Sequence, residues 1–170
     1  MVRETSYSGK DCEADIRNSI KEYSVNSQIE CCRLYDVMYG KKGIANIADF
    51  ILYSYPILIY LECKATQGKR FDFSRLTDTQ LNGLINKAGK IRGVHCGVIV
   101  MFYEHDQCYF LPIEFIQAKL KDGKHSVNLA ELETVWDTYK VDIIKKRTRY
   151  FINLLNLFYI VSTQIEYWGD

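Results

Sequence analysis

Asn46-Ile47-Ala48-Asp49-Phe50-Ile51-Leu52-Tyr53 and Ile57-Leu58-Ile59-Tyr60-Leu61-Glu62-Cys63-Lys64-Ala65 are two apolar runs joined by Ser54-Tyr55-Pro56. Their β-branched and aromatic content reads as a pair of buried strands, and the connector as a turn. Three charges interrupt them: Asp49, Glu62 and Lys64. A charge in such a strand is costly unless it is paired or bound to a metal ion. Side chains alternate faces along a strand, so Ile57, Ile59, Leu61, Cys63 and Ala65 point one way and Glu62 and Lys64 the other. An antiparallel partner would bring Asp49 beside Glu62. Two carboxylates and an ammonium at the rim of a sheet are suited to magnesium-assisted attack on a phosphodiester. Glu-x-Lys alone is common on solvated strands. Here the charges break an apolar strand, and an acid sits in the strand before it.

The chain has 170 residues, 48 % of them apolar, with 13 tyrosines and a net charge of +1. That composition predicts a globular domain with a real core and excludes a generally basic protein or a disordered chain. No apolar run approaches the length of a membrane helix, and the first six residues lack a signal-peptide core. The six cysteines fit no zinc spacing, and the three histidines no ligand spacing. The cysteines read as reduced thiols in a cytoplasmic protein. Charge is uneven: residues 41–92 carry nine Lys/Arg against four acids. A second basic cluster is Lys145-Lys146-Arg147-Thr148-Arg149. Basic patches around a carboxylate pair suit a bound polyanion, although each alone also fits a solvated face.

Outward from the two strands the pattern continues. Ser8 can cap a helix over about Gly9 to Glu22, with a stripe of Cys12, Ile16, Ile20 and Tyr23. Ile29 to Met38 reads as a strand, and Tyr39 to Gly43 as a turn with a basic tip. Gln67 to Arg70 is a loop and Phe71-Asp72-Phe73 a short extended piece. Thr77-x-x-Gln80 opens a helix with the stripe Leu81, Leu84, Ile85 and Ala88. Val94 to Tyr103 and Gln107 to Leu111 form a hairpin. Pro112 begins a helix through Leu120, stopped near Gly123. A less regular stretch follows, then an extended segment from Tyr139 to Ile152 and an apolar helix or strand from Asn153 to about Ile165. The order predicts one α/β domain over residues 1–170: a mixed sheet flanked by helices, with its core at about 9–120 and a C-terminal addition at about 121–170.

Taken together, Gly9-Lys10-Asp11-Cys12-Glu13, Arg33-Leu34-Tyr35-Asp36, Asn46-Ile47-Ala48-Asp49-Phe50, Leu61-Glu62-Cys63-Lys64, Phe71-Asp72-Phe73 and Gln80-Leu81 resemble a RecU-type Holliday junction resolvase. Such proteins belong to the PD-(D/E)XK nuclease superfamily, with a restriction-endonuclease-like fold. The resemblance runs from about Gly9 to Leu120 and continues through Lys146-Arg147-Thr148-Arg149-Tyr150. It implies that Asp49 and Glu62 are magnesium ligands, with manganese a substitute, and that the backbone carbonyl of Cys63 completes the set. It implies that Lys64 positions or activates the attacking water. It places Glu13 on the metal through water and gives Gln80 an organising role. Lys41, Lys42, Lys69, Arg70, Arg75, Lys146, Arg147 and Arg149 are the candidate DNA contacts. Ala48 stands where the superfamily name has Pro. Bacterial members carry a long stalk that enters the junction; here the interval Val37 to Asn46 is short, so the stalk is reduced or absent.

Some of these residues have plainer readings. Glu13 could pair with Arg17 at i, i+4. Gln80 could serve only a capping box with Thr77. Lys64 could form a purely structural ion pair. The resemblance implies a metal-dependent endonuclease that resolves four-way DNA junctions by paired nicks, without a nucleotide cofactor, in the cytoplasm of a bacterium or a phage-infected host. A nearly two-fold junction suits a C2 homodimer, with the first helix and Phe151 to Trp168 as candidate interface. The alternatives are a restriction- or repair-type endonuclease of the same superfamily and a non-catalytic DNA-binding protein.

Overall fold

The structure, a computed structural model, describes residues 7–24, 28–35, 37–39 and 42–164; at 24, 37–39, 42–44 and 164 it describes the backbone alone. In chain order the elements are α1 (Gly9–Ser24), β1 (Glu30–Arg33), β2 (Val37–Tyr39), β3 (Lys42–Ile44), β4 (Phe50–Ser54), β5 (Ile57–Thr66), β6 (Arg70–Asp72), α2 (Asp78–Lys87), β7 (Val94–Phe102), β8 (Gln107–Pro112), α3 (Ile113–Lys121), β9 (Ser126–Asn128), α4 (Leu129–Val135), β10 (Lys140–Val141), β11 (Ile143–Lys146), β12 (Arg149–Ile152) and α5 (Leu154–Gln164). Six strands form the central sheet in the order β1-β4-β5-β7-β8-β10. Only β5 and β7 run parallel, from Leu58↔Val94 to Thr66↔Phe102. This is the α/β mixed sheet flanked by helices that the element order predicts.

Burial follows position in the sheet. β5 and β7 are central, so both of their faces are covered and they read as near-continuous apolar runs. From Cys96 to Phe102 every residue of β7 is buried. Ile59, Leu61 and Cys63 on β5 and Cys12 and Ile16 on α1 all belong to the core. Where β7 meets β8, a side chain at Gly97 would start 2.4 Å from the Phe110 ring and 2.7 Å from the Leu111 carbonyl. Only glycine lets Phe110 lie across the strand there.

Hydrogen-bond partners explain where the predicted strands break. The single strand expected from Ile29 to Met38 stops at Arg33, which is opposite Phe50, the first residue of β4. Beyond Arg33 no strand among the described residues continues the pairing. Leu34 N–H donates to the Asp49 carbonyl at 2.8 Å, and the chain leaves the sheet. Residues 37–39 and 42–44 make their own small ladder, Val37↔Ile44 to Tyr39↔Lys42. The expected basic turn is therefore a short hairpin in the place of a stalk. Its tip, including Lys41, falls outside the described residues, as does the side chain of Lys42.

The stretch read as irregular after Gly123 contains β9 and α4. β9 pairs with β6 (Phe71↔Val127), and the Asn128 side chain accepts the Glu131 N–H at 2.9 Å to start α4. The segment from Tyr139 to Ile152 is not one extended run. β10 adds the sixth strand beside β8 (Val141↔Cys108), and β11 and β12 then form a hairpin (Ile143↔Ile152). The C-terminal addition thus completes the central sheet.

α1 binds that hairpin with two side chains the apolar stripe does not include. Asp15 and Ser19, both 1 % exposed, sit four residues apart on one face of the helix. Asp15 Oδ2 accepts the Tyr150 N–H at 3.1 Å, and Ser19 Oγ accepts the Ile152 N–H at 2.9 Å. The helix supplies the acceptors that a neighbouring strand would otherwise give to β12.

Candidate functional site

The antiparallel register Phe50↔Leu61, carried one residue further, sets Asp49 opposite Glu62. The Asp49 N–H donates to the Leu61 carbonyl at 3.1 Å. Its carboxylate Oδ2 accepts the Cys63 N–H at 2.8 Å. A side chain thus occupies a ladder position that a strand carbonyl would fill, and this is why β4 begins at Phe50 rather than Asn46. Asp49 is locked to the backbone of the strand that carries Glu62 and Lys64.

Glu62 is 2 % exposed. Its Oε1 accepts Lys64 Nζ at 2.7 Å and Gln80 Nε2 at 2.5 Å. Its Oε2 is buried and has no hydrogen-bond partner among the described residues. Gln80 makes the contacts that both readings of it require. Its Oε1 accepts the Thr77 N–H at 3.1 Å in a full capping box and also accepts Lys64 Nζ at 3.3 Å. The start of α2 is thereby tied to the acid pair.

Glu13 reaches the same cleft from α1. Its ion-pair partner is Arg33, the last residue of β1, rather than Arg17. Arg33 is the residue of the site that periodicity does not find. The signal available in the sequence is a lone cation ending a strand whose register neighbour leads directly into Asp49. The cleft, about 170 Å3, is lined by Glu13, Arg33, Tyr35, Asn46, Asp49, Glu62 and Gln80 among others. A larger cavity of about 590 Å3 lies at the opposite end of β5 and β7, around Ile57, Ile91, His95 and Phe110. It holds no such convergence of charges.

Burial dominates the electrostatics. It pushes the Glu62 carboxyl up to about 7, with help from the facing Asp49 and against the pull of Lys64. Burial also raises Asp49, opposed by the Cys63 N–H and Lys64. Glu13 is raised by burial and by the Asp49 charge, against Arg33. A buried carboxyl that prefers its proton, beside a second carboxyl, is a site that lacks positive charge.

The donor set fits a hard divalent cation. Asp49 and Glu62 offer carboxylate oxygens, one of them orphaned, and magnesium typically takes one or two carboxylates and keeps several waters. The Cys63 carbonyl is the next backbone oxygen along the strand, and a side chain at Gly9 would start 3.7 Å from it. Among the described residues no three His, Cys, Asp or Glu side chains converge on one ion-sized point. Glu13, paired with Arg33, stands off from the acid pair.

Of the candidate DNA contacts, Lys69, Arg70 and Arg75 are exposed on the segment between β5 and α2. Arg70 pairs loosely with Asp72 at 3.3 Å. Lys146 and Arg147 lie exposed at the β11–β12 turn, Lys146 paired with Glu22 at 3.4 Å. Arg149 differs. Its Nε donates to Asp15 Oδ1 at 2.7 Å, another nitrogen donates to the Asp11 carbonyl at 2.7 Å, and it also pairs with the Asp11 carboxylate. Its charge holds β12 on α1.

A mixed sheet of this order, with helices on both sides and an Asp, Glu-x-Lys rim on adjacent strands, defines the restriction-endonuclease-like fold. The chain belongs to the recombination protein U family, whose family model matches residues 40–159. The match runs from β3 into α5 and bears out the resemblance read from the residues, although α1 and β1, with Glu13 and Arg33, lie before it. No curated protein matches the chain closely enough to count as a relative. No helix among the described residues is long and apolar enough to cross a membrane.

The raised Glu62 carboxyl predicts a pH effect in protein stripped of divalent ions. Its folded value, about 7, lies above the unfolded value, so the native state holds the extra proton between about 4.3 and 7. Stability then falls as pH rises through that window and levels off above it. Melting curves of wild type and Glu62→Gln in chelator, from pH 5 to 8, should show wild type losing ground to the variant by an amount on the order of 2–3 kcal/mol. A constant difference between the two would contradict the assignment.

Proposed function

We propose that this chain is a metal-dependent endonuclease that resolves four-way DNA junctions by paired nicks, acting as a homodimer. The observation that carries the reading is the buried, unpartnered Oε2 of Glu62 beside Asp49, with Lys64 held 2.7 Å from the other oxygen. An orphaned carboxylate oxygen in a cleft needs a proton or a cation. Family membership supports a role in recombination, and branched DNA is the substrate that role calls for.

In this reading Asp49, Glu62 and the Cys63 carbonyl would hold magnesium, with manganese able to replace it and Glu13 reaching it through water. The ion, when bound, neutralises charge on the scissile phosphate and lowers the pKa of a water. The protein's own groups do the rest. The Asp49–Cys63 bond fixes the acid pair in the core. Gln80 orients Glu62 and Lys64 together. Lys64 would donate toward the negative charge that develops on the oxygens of the attacked phosphate. Lys69, Arg70, Arg75, Lys146 and Arg147, with Lys41 and Lys42, would contact flanking phosphates and position DNA without reading its sequence.

A restriction- or repair-type endonuclease is the second reading. The observation favouring it is the short β2–β3 hairpin where a long stalk would give junction selectivity. Strand-by-strand cleavage of labelled four-way junctions, flaps and linear duplex in magnesium separates the two. The proposal requires symmetric nicks in the junction at rates well above those on duplex. Faster cutting of duplex or flap would favour the second reading. Intact DNA of every form, in magnesium and in manganese, would end the nuclease assignment.

A further inference from the structure

We infer that Tyr35 is a stacking platform for an unstacked nucleobase next to the scissile phosphate, and that it supplies selectivity for branched DNA. The inference rests on the nuclease reading above and adds the feature of the substrate that the cleft recognises. Tyr35 is 64 % exposed yet lines the same cleft as Glu13, Asp49 and Glu62. The ring is not part of the hydrophobic core. The guanidinium carbon of Arg33 lies 4.7 Å from its ring centroid, and Arg33 is itself held by Glu13. One face of the ring is thus braced by a held cation, and most of the residue is open to solvent.

A ring held in that way at the mouth of a phosphate-cutting cleft suits one ligand class. Every nucleobase has a π-face, and stacking on an aromatic side chain is worth about 1–3 kcal/mol per base. In continuous duplex that face is covered by the next base pair, and exposing it costs unstacking energy. At a branch point the strands exchange partners and the stack is more easily opened, so a base can meet Tyr35 at a lower cost. The platform therefore discriminates between branched and linear DNA by a difference in binding, not by reading sequence. It gives a chain with only a short β2–β3 ladder in the stalk's place a physical means of preferring junctions.

The test compares wild type, Tyr35→Ala, Tyr35→Phe and Tyr35→Trp. Affinities for a four-way junction and for linear duplex of the same length are measured by fluorescence anisotropy in calcium, and cleavage of both in magnesium. The stacking energy corresponds to a loss of about 5- to 150-fold, so the junction-to-duplex affinity ratio should fall about tenfold in Tyr35→Ala. Phe and Trp should keep the ratio, because they keep the ring. Melting temperatures should agree, since the residue is exposed. The inference is overturned if Tyr35→Ala keeps the wild-type ratio, if it weakens both DNA forms equally, or if Tyr35→Phe loses as much as Tyr35→Ala. Should wild type bind junctions but cut no DNA, the nuclease reading fails while the affinity ratios still decide the role of Tyr35.

Discussion

Lys64→Ala should lower junction cleavage by about 100- to 1,000-fold while junction binding is largely kept. The magnitude is that of removing one preorganised donor aimed at developing charge. Lys64 is well placed for such a role. Its ammonium sits on the same face of β5 as Glu62, bonded to it at 2.7 Å and to Gln80 at 3.3 Å, so it is oriented before substrate arrives. Asp49→Asn should go further, to no detectable nicking, because it removes a proposed metal ligand. It should bind junctions at least as well as wild type, since a carboxylate facing phosphate is lost. Single-turnover cleavage and anisotropy titrations on the same junction measure both quantities. Variants that cut at wild-type rates would remove these residues from the chemistry. Variants that no longer bind DNA would point to a structural role for the Glu62–Lys64 pair.

The largest effect on stability is expected at Asp15, on the face of α1 that meets β12. Its carboxylate accepts the Tyr7 hydroxyl at 2.7 Å, Arg149 Nε at 2.7 Å and the Tyr150 N–H at 3.1 Å, at 1 % exposure. Asp15→Ala strands a backbone donor and a tyrosine hydroxyl and leaves Arg149 without its buried partner. Breaking a buried pair by removing one side costs about 3–5 kcal/mol. Arg149 is 36 % exposed and can rehydrate, so about 2–4 kcal/mol is expected from urea unfolding, with an unchanged m-value. A loss under about 0.5 kcal/mol, the range of ordinary surface substitutions, would show that β12 does not depend on this contact.

The same residue marks where the sequence is hardest to read. Cys12 and Ile16 announce themselves by helical spacing, and both are fully buried. Asp15 and Ser19 are polar and sit between apolar residues, so periodicity assigns them to the surface. They are buried because β12 arrives more than a hundred residues later with two N–H groups to satisfy. Asp49, Glu62 and Lys64 were legible for the opposite reason: charges inside apolar strands stand out, and period-2 alternation puts them on one face. Arg33 was not, because Glu13 has a cation at helical spacing in Arg17, and only the pairing of β1 with β4 brings the other cation nearer. Strand ends misread for a related cause. β4 starts late because the Asp49 carboxylate takes the Cys63 N–H in place of a strand carbonyl, β1 ends level with that start, and no local propensity reports the exchange.

A crystal of the protein soaked in manganese, with anomalous data, tests the central claim most directly. The account predicts an anomalous peak bound by Asp49 and by the orphaned Glu62 oxygen, and no such peak in Asp49→Asn. A wild-type map without manganese at those oxygens, or with the ion held elsewhere in the chain, would contradict it.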